Sequence, residues 1–80
     1  MTITIHNTDK IVELQADPDG RVSIPARLWE GETESGIRVH VLVTRLLVDE
    51  KDRQDEFERE LQETRRASPA AAAIPARMIL

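Results

Sequence analysis

Eighty residues with no cysteine, one phenylalanine, one tryptophan and no tyrosine make one small domain around an aliphatic core. The absence of cysteine excludes a disulfide framework and thiolate chemistry, and no apolar run approaches the ~20 residues that span a bilayer. A net charge of −4 argues against a broadly basic nucleic-acid face.

So short a chain buries only ~60% of its unfolded surface, and a core of that size rarely supplies more than ~3–5 kcal/mol. Assembly into a homo-oligomer is therefore expected. The N-terminal MTITIHNTDK has neither the charged start nor the long apolar centre of a signal peptide, so the expected location is cytoplasmic.

Thr2 to His6 alternates, with Ile3 and Ile5 on one face, and predicts a short strand. Asn7-Thr8-Asp9 supplies turn residues, and Ile11 to Gln15 predicts a second strand antiparallel to the first. Asp17-Pro18-Asp19-Gly20 is the clearest turn. From Arg21 to Trp29, Val22, Ile24, Ala26 and Leu28 face one way; Arg21, Ser23, Arg27 and Trp29 face the other. Pro25 cannot donate to a ladder, which puts this strand at an edge or bulges it there.

Glu30 to Gly36 is read as an acidic loop. Ile37 to Val48 predicts the longest strand, with Ile37, Val39, Val41 and Val43 on one face and Leu42, Leu46 and Val48 on the other, covered on both sides and central. Asp49 to Arg66 turns helical: Asp49 suits an N-cap, acids crowd the first turn, and Arg65 and Arg66 close the end. Its apolar stripe is only Phe57 and Leu61, so most of the helix is wet. Residues 67–73 form a linker, and 74–80, ending Met78-Ile79-Leu80, a closing strand that completes the sheet or packs on another subunit. The fold expected is α+β, in the order β-β-β-β-α-β, with strands over 1–48, one charged amphipathic helix over 49–66 and a mainly antiparallel sheet.

Catalysis finds little support in these residues. His6 and His40 are the only histidines, and neither Ser23 nor Ser35 lies in a nucleophile-elbow context. The carboxylates sit in a loop and on a solvated helix rather than converging on a metal. The expectation is a protein that is not an enzyme and carries no cofactor.

Gly20-Arg21-Val22-Ser23-Ile24-Pro25 resembles the GR(V/I)xIP motif of swapped-hairpin DNA-binding proteins of the AbrB type, which include many antitoxin subunits. That resemblance implies a DNA contact through Arg21, Ser23, Arg27 and Arg38. The same residues also read as a proline-interrupted edge strand after a turn.

Ala26 to Ile37, then Val43-Thr44-Arg45, the segment Phe57 to Leu61 and the terminal Ile74 to Leu80 look like short uncharacterised proteins of tailed bacteriophages and prophages. The resemblance implies an accessory protein that acts by binding in the host cytoplasm. Inhibition of a host-defence protein and sequestration of a nucleotide signal are the two roles it suggests.

Arg27 and Trp29 share a strand face, Thr44 and Arg45 lie on the next strand, and His40 belongs to the same sheet. Arginine suits bidentate phosphate contacts, and an exposed indole stacks on a base at ~1–3 kcal/mol. Arg27, Trp29, His40, Thr44 and Arg45 are therefore the expected ligand-binding set for a small anion. The competing reading has Trp29 capping the core edge and the arginines paired with Glu30, Glu32 or Glu34. The acidic helix reads as a solvated face more readily than as a surface for a basic partner.

Overall fold

The computed structural model describes residues 1–79; Leu80, the last residue of the expected closing strand, lies outside them. Four strands form one sheet in the order β3-β2-β1-β4: β1 Ile3–Gln15, β2 Ser23–Thr33, β3 Arg38–Val43 and β4 Arg77–Ile79. The first three are antiparallel neighbours, and β4 runs parallel to β1. A 3-10 turn, Lys51–Arg53, leads into helix α1, Gln54–Leu61, and helix α2, Pro69–Ala72, precedes β4. The class is α+β and mainly antiparallel, as expected, with four strands in the sheet.

The two strands read at the N-terminus are one. Asn7 pairs with Trp29 and Ile11 with Arg27, so Thr8, Asp9 and Lys10 together face Leu28 alone. Where a turn was expected at Asn7-Thr8-Asp9, Asn7 stays in the ladder and Thr8 to Lys10 form a bulge of three residues against one. Bulges tolerate such residues because their backbone groups leave the ladder and seek other partners.

Directly paired residues share a sheet face. One face carries Val12, Leu14, Ala26, Leu28 and Leu42; Val12, Leu14 and Ala26 form the core, with Leu42 and Ile74 packed on it. Ala71 of α2 is also fully buried. The opposite face carries Ile3, Ile5, Asn7, Arg27, Trp29, Val39, Val41 and Val43. Asn7 Nδ2 donates to the Leu61 carbonyl at 2.7 Å, which ties the end of α1 to this second face. The alternation expected for β2 and for Ile37 to Val43 is present.

β3 is not central. It is an edge strand, and it stops at Val43 instead of running to Val48. Pro25 explains the stop. Glu13 donates its amide to Ala76 at 2.8 Å, away from β2, so Glu13 and Pro25 are a non-hydrogen-bonded pair and the Pro25 nitrogen faces the β3 side. Continued register would set Arg45 against that nitrogen, which carries no hydrogen to donate. The local edge expected at Pro25 is thus present, and it truncates the neighbour.

The expected loop Glu30–Gly36 shrinks to a turn at Thr33–Ile37, closed by Thr33 donating to Ile37 at 2.9 Å, because β2 runs on to Thr33. The helix occupies Gln54–Leu61 rather than 49–66. Asp49 is not its N-cap: the 3-10 turn starts after Glu50 and the helix after Arg53, whose guanidinium binds Glu50 and Glu56. At its end residues 65–67 extend along the bulge: Arg65 donates to Asn7 at 3.0 Å, Asp9 to Arg65 at 2.9 Å, and Ala67 to the Asp9 carboxylate at 2.9 Å. These tertiary bonds replace another helical turn. The expected linker 67–73 contains α2, started by Ser68 as N-cap and Pro69 at the first position.

At Gly31 the β1 backbone leaves no room for a side chain: a Cβ there would lie 1.8 Å from the Thr4 carbonyl oxygen. At Gly36 the backbone has φ +89° but a Cβ would meet nothing within 4 Å. Gly31→Ala is expected to lower the urea midpoint by the equivalent of about 3 kcal/mol or to abolish folding. Gly36→Ala should cost about 1 kcal/mol, from backbone conformation alone.

Candidate functional site

Above the hydrophobic core, the core-side face of the sheet becomes polar. Two cross-strand rows define it: His6, Glu30 and His40 in one, Thr4, Glu32 and Arg38 in the next. The segment that crosses the bulge brings Arg65 and Ser68 over these rows. Together they line an open cleft of about 420 Å³ that also includes Gly31, Val39 and Ala70. Ligand clefts commonly span ≈ 300–1,000 Å³.

Glu30 organises the floor. One carboxylate oxygen accepts the Ser68 amide at 3.0 Å and the other accepts the Ser68 hydroxyl. His40 Nε2 lies 3.5 Å from the Glu30 carboxylate. The Ser68 hydroxyl and amide, with His40 contributing less, hold the Glu30 carboxyl below its ordinary range. Ser68 Oγ also accepts the Ala71 amide at 3.2 Å, so a single side chain starts α2 and anchors it to the sheet.

Arg38 and Arg65 are different. Neither guanidinium has a carboxylate in ion-pair range among the described residues. Both line the cleft, as do both histidines of the chain. No group of three His, Cys, Asp or Glu converges to hold a metal ion among the described residues. No helix of those residues is long and apolar enough to cross a membrane.

The expected ligand set is divided. His40 lies in the cleft, whereas Arg27 and Trp29 lie on the opposite face, in register with Val43 and Val41. Arg27 Nη1 donates to the Thr8 carbonyl at 3.1 Å and so satisfies the bulge. Trp29 is half-buried, with Asn7 and Val41 as its register neighbours. Thr44 and Arg45 are exposed beyond the end of β3.

The DNA-contact set is also spread out. Ser23 and Arg27 share the second face, and the Ser23 hydroxyl donates to Glu13. Arg21 precedes β2, its amide held by Asp17 at 3.0 Å. Arg38 lies on the cleft side, opposite Glu32, nine residues along β2 from Ser23 and hence about 30 Å away.

Sequence reasoning had singled out His40 and Arg38 but missed His6, Glu30, Arg65 and Ser68 as partners. Strand alternation could have aligned His6 with Glu30, had the register across the bulge been known. Nothing local points from Arg65 or Ser68 to the sheet.

Because the folded Glu30 carboxyl titrates below its usual 4.5, its contribution is present above that pH and is lost as pH falls through the lower folded value. Ser68→Ala should therefore raise the Glu30 pKa towards 4.5, followed by NMR of the carboxyl carbon. It should also lower stability by about 1 kcal/mol through the lost cap. Glu30→Gln should lose less stability than the parent as pH is lowered below 4.5. Compared with protein-family models, curated proteins and solved structures, the chain matches none.

Proposed function

We propose that this chain is a non-enzymatic binding protein whose cleft holds a small phosphate-bearing ligand of nucleotide type. The observation that carries this reading is the convergence of Arg38 and Arg65, both without a carboxylate partner among the described residues, on one cleft. Guanidinium groups offer planar, paired donors that match phosphate oxygens. Glu30 is already engaged by Ser68 and so does not neutralise them. Glu32, in register with Arg38, is placed to accept from a ligand hydroxyl or amino group.

The likeness to short phage proteins supplies a context for such a site. A protein made in an infected cell that sequesters a nucleotide signal would blunt the host response that depends on it. The working parts are then Arg38 and Arg65 for charge, with His6 and His40 as flanking donors. No bond is made or broken.

The test is titration with AMP, a cyclic dinucleotide and inorganic phosphate, followed by amide chemical shifts. Shifts are expected at Arg38, His40, Arg65 and Ser68. Arg38→Ala and Arg65→Ala should each weaken binding by about tenfold or more, the loss of one charge-assisted hydrogen bond. Arg45→Ala, outside the cleft, should leave it unchanged. Affinity that depends on Arg45 or Trp29 and not on Arg38 contradicts the assignment, as does an absence of binding by all three probes.

A further inference from the structure

We infer that two copies of this chain join through the free edge of β3, antiparallel and centred on His40, so that one sheet runs through both and their two clefts open side by side. The inference stands independently of what the cleft binds.

The first ground is surface. The chain exposes 6442 Å², whereas a compact monomer of 9.1 kDa exposes about 4,900 Å². The excess, roughly 1,500 Å², exceeds the ≈ 800 Å² that each partner buries in a standard interface. The radius of gyration is 14.2 Å against about 12 Å for a compact chain of this length. The fold has surface to spare for a partner.

The second ground is the edge itself. Thr33 donates to Ile37, which fixes the hydrogen-bonded phase of the β2–β3 ladder. By alternation the amides and carbonyls of Arg38, His40 and Leu42 then point away from β2. Among the described residues no other backbone group meets them. β3 has no proline and no bulge, two of the devices that block edge pairing. Its one permanently charged side chain, Arg38, would stand opposite the partner's Leu42 in this register rather than opposite a like charge.

The third ground is self-complementarity. Centring two antiparallel copies on His40 sets Val39 against Val41 of the partner subunit, and Ile37 against the partner's Val43. All four residues lie on one face, and Ile37 is 63% exposed in the isolated chain. Leu46 and Leu47, the latter 85% exposed, follow β3 and would come to the Ile37 end of the other copy. On the opposite face the row His6, Glu30, His40 would continue into the partner's His40. A ligand bridging the two clefts would then meet Arg38 from both sides.

The chain contains no cysteine, so an introduced thiol can only pair with its own copy in a second molecule. At the proposed centre the two His40 Cα atoms would lie about 5.5 Å apart, within disulfide range. Sedimentation of the unaltered chain should give twice the 9.1 kDa mass at micromolar concentration. His40→Cys should oxidise to a covalent dimer. Val39→Cys alone should not, but mixed with Val41→Cys it should.

His40→Pro removes the outward amide together with the imidazole beside Glu30 and should yield a folded monomer, whereas His40→Ala, which removes the imidazole alone, should remain a dimer. A monomer at 100 µM, with the edge left for a strand of another protein, overturns the inference. So does a dimer that crosslinks at Asp52→Cys on the 3-10 turn and not at His40→Cys.

Discussion

The bulge at Thr8 to Lys10 is the constraint on which the rest of the structure depends. Three residues of β1 face Leu28 alone, which frees backbone groups that a regular ladder would have consumed. The protein uses them all round. Thr8, almost fully buried, donates its hydroxyl to the Leu28 carbonyl, and Arg27 donates to the Thr8 carbonyl. Asn7 and Asp9 hold the backbone of Arg65, and the Lys10 ammonium reaches the carbonyls of Ala72 and Ile74. Buried polar groups that went unmet would each cost about 1–3 kcal/mol. The bulge is therefore stable only with the crossing segment in place.

That clamp decides what lies on each side of the sheet. The crossing at residues 65–67 takes the chain from α1, tied to the Asn7 face, to α2, packed on the Val12 face. It also sets Arg65 and Ser68 above the His6, Glu30 and His40 row. A small fold with so little aromatic mass cannot bury both faces of its sheet deeply. Here hydrogen bonds across one irregularity in β1 set the layer order, and apolar packing fills in around them.

Alternation was legible in the sequence, because period-two patterning follows from strand geometry whatever the partners. Ile24, Ala26 and Leu28 face the core, and Val39, Val41 and Val43 share the other side, as the pattern required. Partnership was not legible. Asn7-Thr8-Asp9 has turn composition, and only the continued pairing of Ile11 with Arg27 reveals a bulge. Val48 looked like strand because apolar residues continue past Val43, whereas the missing hydrogen on Pro25 lies on a different strand. The helix looked longer for a similar reason, since the competitor for Thr64 to Arg66 is β1, some fifty residues earlier. Of the cleft, His40 belonged to the expected ligand set and Arg38 to the DNA-contact set that the AbrB-type resemblance implied. Arg65 and Ser68 reach it only through the crossing.

If the bulge holds the crossing segment as described, the amides of Arg65 and Asp9 are hydrogen-bonded to each other's strands and shielded from water. Native-state hydrogen exchange followed by NMR reads those two amides directly. The account predicts that both exchange as slowly as the core amides of Val12 and Leu28. Exchange at the rate of an unprotected peptide, with Val12 and Leu28 still protected, would show the sheet folding without the clamp and would contradict the account.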